Sequence, residues 1–264
     1  MTPIRRAESF DRIAADYDRY RHLLPDEIVQ CILAVAKIQS GTRILEIGCG
    51  TGQLSVPLAR HGVELIAVEL GANLATLARQ NLAGYPNARV DVGAFEEWEL
   101  PEKRFDVVVS KDAFHWIDPQ VRFVKTADSL NVGGYLVIVS VHPVAGGTPG
   151  FFEDLKAHYI RYGISADEPL FEPNCVGGEP LAYPELESQP RFDHVQRQCF
   201  QIPRPLTAES YVGWLKTYSL VNNLAVGTRQ RFLDEIRELI CTKYENSVIR
   251  NIQYEITSAQ RVSK

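Results

Sequence analysis

"RILEIGCGTGQL", residues 43–54, runs from an apolar strand into a turn with glycine at three alternate positions, Gly48, Gly50 and Gly52. Glycine-rich strand-to-helix turns hold a diphosphate, another phosphate, or a ligand with no phosphate. The dinucleotide fingerprint G-x-G-x-x-G needs its third glycine where this chain has Gln53, and no Gly-Lys-Ser/Thr follows to make a P-loop. Neither phosphate template fits. What remains is a wide turn, poor in side chains, at the carboxyl end of a first strand, where open α/β sheets bind ligands. Glu46 stands two residues before the turn, and Glu69 ends the next strand, placed to accept both hydroxyls of a ribose. A nucleoside with an amino-acid tail suits that set.

The flanking sequence alternates in the same way. Upstream, Phe10, Ile13, Ala14 and Tyr17 form one apolar stripe on a charged helix. A second helix follows Pro25, with Asp26 expected as its N-cap and Ile28, Ile32, Val35 and Ala36 facing inward. Downstream, "ELIAVEL" (64–70), a weaker run at 89–93, "FDVVVS" (105–110) and "GGYLVIVSV" (133–141) read as strands separated by helices. Short apolar strands alternating with helices predict an α/β fold, doubly wound around a mostly parallel sheet of seven strands. Two late strands, near "VQRQCFQI" and in "VIRNIQYEIT", complete it. Residues 142–190 change in texture, with seven of the fifteen prolines, and are expected to form an insertion after strand five acting as a lid or substrate region.

Composition narrows the function classes. The chain has 264 residues, 45 % hydrophobic, with a net charge of −5. That balance disfavours a nucleic-acid partner, which needs clustered Lys and Arg. The five cysteines are scattered without a C-x-x-C pair, as in a reducing cytoplasm, and suggest no metal site. The charged N-terminus does not read as a signal peptide, and no run approaches the ~18 apolar residues of a membrane span. The expectation is a cytoplasmic protein without a membrane partner; the sequence leaves its oligomeric state open.

"ILEIGCGTGQLSVPLARHGVELIAVEL" resembles motif I and the following strand of class I S-adenosylmethionine-dependent methyltransferases. "FDVVVSKDAFHWID" and "GGYLVIVS" resemble that family's fourth and fifth strands, and "FDRIAADYDRYR" is similar to the entry helix of its small-molecule branch. His115-Trp116 after strand four resembles the trans-aconitate methyltransferase subgroup. The match is good over roughly residues 8–142 and vague beyond. It implies a single domain, 1–264, whose N-terminal helices, 1–40, close over S-adenosyl-L-methionine, with S-adenosyl-L-homocysteine as product.

By this resemblance, the backbone of Gly48, Cys49, Gly50, Thr51 and Gly52 lines the methionine tail and ribose. Glu46 sits nearby, Glu69 holds the ribose diol and Leu70 packs on the adenine. Tyr17 lines the methyl-donor region and Arg21 meets a carboxylate, of cofactor or substrate. Lys111 offers its backbone, with its side chain in solvent, and for Asp112 a loop cap is an equal alternative to a part in the chemistry. Many relatives carry Gly-Asp-Ala-Glu where this chain has Gly93-Ala94-Phe95-Glu96, so adenine would be read by the Ala94–Phe95 backbone and apolar contact. His115 is the candidate catalytic base, and His115 and Trp116 are candidate substrate contacts. Trp214, Tyr218 and Tyr211 at helical spacing read as core or pocket wall. The expected reaction is in-line methyl transfer to a small molecule. The rivals are a non-catalytic binder of the same nucleoside, favoured by Ala94, and a nicotinamide-dependent oxidoreductase, disfavoured by Gln53.

Overall fold

A computed structural model describes residues 10–164 and 183–263. Seven strands form one sheet in the order β3-β2-β1-β4-β5-β7-β6. Of these, β1 (Arg43–Ile47), β2 (Glu64–Glu69), β3 (Ala88–Val92), β4 (Phe105–Lys111) and β5 (Leu130–Val144) run parallel. The last two, β6 (Phe192–Leu206) and β7 (Val248–Arg261), close the sheet antiparallel, β7 lying between β5 and β6. The doubly wound, mostly parallel sheet expected from the sequence is therefore present.

Strands buried on both faces read as nearly continuous apolar runs, and β1 is buried throughout, its Arg43 and Glu46 included. Alternation divides them between two cores. Leu45, Ile47, Ile66, Val68, Val108 and Leu136 pack on one side of the sheet. Ile44, Leu65, Val107, Val109, Val137 and Val139 pack on the other with Ile28 and Ile32, which belong to the helix Asp26–Val35. Ahead of that helix, here α2, comes the entry helix α1 (Ala14–Tyr20). Between β1 and β5 lie α3 (Ser55–Ala59), α4 (Ala72–Asn81) and α5 (Arg122–Ser129).

Asp26 is the first residue inside α2 rather than its N-cap; Pro25 holds the cap position, with no side-chain hydrogen bond. Proline's fixed φ and missing N–H start a helix without a capping oxygen. The region 142–190 begins inside β5, which continues to Val144, and residues 165–182 of it lie outside the described residues. Its helix α6 (Phe151–Arg161) shares a third core with α7 (Ala208–Leu215) and α9 (Val226–Lys243), through Phe151, Leu155, Tyr159, Tyr211 and Phe232. The short α8 (Ser219–Asn222) joins α7 to α9. Through Trp214 of α7 and the following Tyr218 this helical group reaches a pocket also lined by Lys111, at the carboxyl end of β4, where an open α/β sheet takes its ligands.

Candidate active site

β1 delivers the glycine turn. Gly48 has φ +70° and Gly50 φ +59°, left-handed conformations that cost a side chain dearly. A Cβ on Gly48 would lie 2.3 Å from the Cβ of Ala113, and one on Gly50 3.3 Å from the Tyr17 ring. The loop after β4 and the entry helix thus both close on bare backbone. The N–H groups of the three glycines are already committed: Gly48 donates to Val68 O at 2.8 Å, Gly50 to Glu69 Oε2 at 2.8 Å, and Gly52 to Cys49 O at 2.9 Å. A phosphate cradle works by aiming free N–H groups at the anion. This turn does not.

Two buried acids flank it instead. Glu69 accepts from Gly50 N and, through Oε1, from Gly71 N at 2.9 Å, so each oxygen keeps lone-pair capacity for a further donor. It is 7 % exposed, and burial raises its pKa against the pull of the two N–H groups. Glu46 is 1 % exposed and accepts the Ser55 hydroxyl at 2.5 Å. Burial pushes its carboxyl up to about 7, with Ser55 and Lys111 opposing and Glu69 adding to the rise. Carboxylates, an aromatic ring and glycine N–H groups turned to protein acceptors suit a cationic, hydroxyl-bearing nucleoside better than a diphosphate. The residues present therefore fit an adenosyl sulfonium.

The entry helix is fastened over this turn. Asp11 Oδ1 accepts from the N–H groups of Asn73 at 2.7 Å and Leu74 at 3.1 Å, at the start of α4. Asn81 donates to Asp18 and to Thr51 O, both at 2.8 Å. Gln53 Nε2 donates to Thr51 Oγ1 at 2.6 Å and to Arg21 O at 3.3 Å, while the Gln53 backbone carbonyl accepts from Leu24 N. The residue that breaks the dinucleotide fingerprint is thus the tie between turn and entry helix. Cys49 and Thr51 are buried, 3 % and 1 % exposed, which leaves their backbone as their contribution. Burial raises the Cys49 pKa well above its usual range, so it is a thiol.

Lys111 departs from expectation. Its side chain is 12 % exposed and pairs with Asp112 at 2.5 Å, instead of standing in solvent. Burial disfavours the ammonium, but the Asp112 charge outweighs it and leaves the Lys111 pKa raised. The same pairing, against burial, lowers the Asp112 pKa. Asp112, at φ +52°, also accepts from Val141 N at 2.8 Å and so joins the ends of β4 and β5. Arg21 donates from Nε to Thr217 Oγ1 at 2.8 Å, and its guanidinium lies 4.8 Å from the Tyr218 ring centre and 5.6 Å from that of Tyr17.

Beside this group is a pocket lined by Arg21, Lys111, Arg204, Trp214, Tyr218 and Tyr254, among others. Sheet register explains the gathering. Lys111 pairs with Val139, Val141 with Tyr254 and Arg204 with Arg250, all on the sheet face that also carries Ile252. Pleating then points alternate residues of four strands into one space.

Not every candidate arrives there. His115 is exposed on a short 3-10 turn, 4.5 Å from Trp116 ring to ring, and neither residue lines the pocket. Trp116 instead meets Phe10 at 6.5 Å, and Phe10 meets Tyr17 at 6.0 Å, which sets the pair at the outer rim of the entry helix. Phe95 points into the core at 4 % exposure, while Ala94 and Leu70 are half-buried. Gly93 N donates to Glu69 O at 2.9 Å, so the Ala94–Phe95 backbone lies next to the acid. Asp11, Gln53 and Arg204 are absent from the sequence-derived set. Gln53 had a signal, as the odd residue in a glycine pattern; Arg204 had "IPRPL", an arginine between two prolines. Among the described residues no group of His, Cys, Asp and Glu could hold a metal ion, and no helix is long and apolar enough to cross a membrane.

Comparison with known proteins agrees with this geometry. Residues 44–134 match a family described as "Methyltransferase domain". A protein named as an uncharacterized methyltransferase of Mycobacterium tuberculosis is 26 % identical over 234 residues, covering 89 % of this chain and 86 % of that one. A malonyl-[acyl-carrier protein] O-methyltransferase of Geobacter sulfurreducens is 31 % identical over 155 residues, 57 % of this chain and 56 % of its own. Among solved structures, an S-adenosylmethionine-dependent methyltransferase from Geobacter sulfurreducens in complex with S-adenosyl-L-homocysteine aligns with TM-score 0.52 at 15 % identity. That alignment covers 90 % of this chain and 92 % of the other.

Proposed function

The chain belongs to the class I S-adenosylmethionine-dependent methyltransferases, and from that premise we propose that it methylates a small-molecule acceptor held in the pocket beside Lys111. The observation that carries the proposal is the committed glycine turn with its paired acids, Glu46 and Glu69, opening toward a separate pocket on the same sheet end. When bound, S-adenosylmethionine supplies an activated methyl group whose leaving thioether needs no protonation.

The chain's own task is then alignment and exclusion of water, which suffices for a reactive donor. Glu69 takes the ribose hydroxyls on its remaining lone pairs. Glu46 offers a carboxylate to the positive end of the methionine tail. Tyr17 covers the turn and presents a π face to the sulfonium. Arg21, one helical turn further on, faces both compartments. The backbone at Ala94 and Phe95 borders the adenine, and Leu70 packs on it.

His115 does not line the acceptor pocket, so a base there is not assigned, and His115 and Trp116 are read as rim residues of the entry helix. The names of the malonyl-[acyl-carrier protein] O-methyltransferases favour an oxygen acceptor on a small acyl group, and the acidic chain disfavours nucleic acid. A non-catalytic binder is the second reading, favoured by Ala94, which offers adenine no side-chain acceptor.

Calorimetric titration with S-adenosyl-L-homocysteine and with NAD tests the cofactor assignment. Binding of the first with a 1:1 stoichiometry and no heat from the second is expected. NAD binding without S-adenosyl-L-homocysteine binding would sink it. Release of S-adenosyl-L-homocysteine from S-adenosylmethionine in a metabolite screen separates enzyme from binder.

A further inference from the structure

Arg204 lies on β6, the outer strand of the sheet, between Pro203 and Pro205. It stands directly opposite Arg250 on β7, which is 1 % exposed. Two like charges thus face each other across the antiparallel pair. Arg204 points into the pocket that Arg21 and Lys111 also line.

The charges in that pocket do not cancel. Lys111 is answered by Asp112 at 2.5 Å. Arg21 spends Nε on the Thr217 hydroxyl and its faces on Tyr17 and Tyr218. Neither Arg21 nor Arg204 has a carboxylate within ion-pair distance among the described residues. Three cations therefore face the Asp112 carboxylate, and the exposed Glu27, which is felt at Tyr254, does not line the pocket. The guanidiniums feel each other: burial lowers the pKa of Arg204, and the charge of Arg21 lowers it further. His22, at the pocket mouth, is likewise pushed down, by burial and then by Arg204.

Partly buried cations left without counter-ions are costly unless a ligand supplies the charge. A planar guanidinium fork matches a carboxylate in shape as well as sign. The donor brings a sulfonium to the same end of the sheet, so an ammonium-bearing acceptor would add a further like charge. Trp214, Tyr218 and Tyr254 give the body of the acceptor flat apolar walls.

We infer that the acceptor is a small carboxylic acid whose carboxylate is bound by the Arg204 guanidinium, while Arg21 serves the methionine carboxylate of the methyl donor. This inference rests on the methyltransferase reading above and gives that reading its substrate class. Arg204 is then a specificity-determining residue, reached from a strand more than 60 residues away in sequence from any part of motif I.

The test uses the full chain saturated with S-adenosyl-L-homocysteine at pH 7.5. It is titrated with a panel of aliphatic mono- and dicarboxylic acids, benzoate and phenylacetate, and with their methyl esters and amides. Acids that bind are expected to do so at least tenfold more tightly than their uncharged counterparts. Arg204→Gln should weaken those acids at least tenfold, with Arg204→Lys in between, while S-adenosyl-L-homocysteine binds all three proteins alike and reports that they are folded. Arg21→Gln should do the reverse, weakening the nucleoside first.

Equal binding of acid and ester, undiminished acid binding by Arg204→Gln, or no binding by any acid of the panel overturns the inference and leaves the methyltransferase reading intact. Failure of S-adenosyl-L-homocysteine itself to bind removes the reading underneath, and the inference with it.

Discussion

Replacing Glu46 by Gln and following stability with pH probes the acid under the glycine turn. Burial holds that carboxyl at about 7 in the folded chain, against an ordinary value of 4.5. An acid whose folded value is raised keeps its proton longer when folded than when unfolded. Between those two values folding takes up a proton, and stability falls as pH rises. At 1.36 kcal/mol for each pH unit between the two values, ionising Glu46 costs the ligand-free fold roughly 3 kcal/mol, about 2 of it between pH 5.5 and 8.

The assay is urea unfolding of wild type and Glu46→Gln, ligand-free, across that range. The stability of wild type minus that of the variant should decline with pH and level off above about 8. Adding S-adenosylmethionine supplies a cation, so wild-type affinity should rise through the same window while that of the variant stays flat. A difference that is constant or climbs with pH would refute the burial argument. A pH-independent wild-type affinity would refute Glu46 as the partner of the positive tail.

Three further outcomes follow from particular contacts. Gly48→Ala places a methyl group 2.3 Å from the Ala113 Cβ at φ +70°, and should cost roughly 2–5 kcal/mol in urea unfolding; adding Ala113→Gly should recover the steric part only. Lys111→Met strands Asp112 without its cation and should destabilise by about 3 kcal/mol, whereas Lys111→Met with Asp112→Asn should lose clearly less, as a double-mutant cycle reads directly. Asp11→Ala removes the acceptor for two N–H groups at the start of α4; about 1 kcal/mol of stability and faster proteolysis within residues 10–24 are expected.

The central strands are legible in the sequence because burial on both faces favours apolar runs, and "RILEI" and "FDVVVS" are such runs, broken only by Arg43, Glu46, Asp106 and Ser110. The turn is legible by exclusion, since a missing third glycine removes the phosphate templates. What escapes is anything set by a partner distant in sequence. Lys111 reads as a solvated side chain until Asp112, in a left-handed conformation, turns back to hold it. Arg204 reads as one strand arginine among others until antiparallel pairing with β7 carries it to the end of β4. His115 follows the right strand, but the 3-10 turn at Phe114–Trp116 buries Phe114 and leaves the imidazole outside. Pro25 takes the cap position of α2, its carbonyl accepting from the N–H groups of Ile28 and Val29, and Asp26 follows as the first helical residue.

The two prolines around Arg204 have a consequence of another kind. In a paired outer strand, proline is tolerated where its nitrogen looks away from the neighbouring strand, so Pro203 and Pro205 remove two successive donors from the rim of the sheet. A second chain approaching that rim as an extra ribbon would find a gap in the ladder it must complete. The same rings that stiffen the backbone on either side of one guanidinium thereby deny this border to runaway polymerisation.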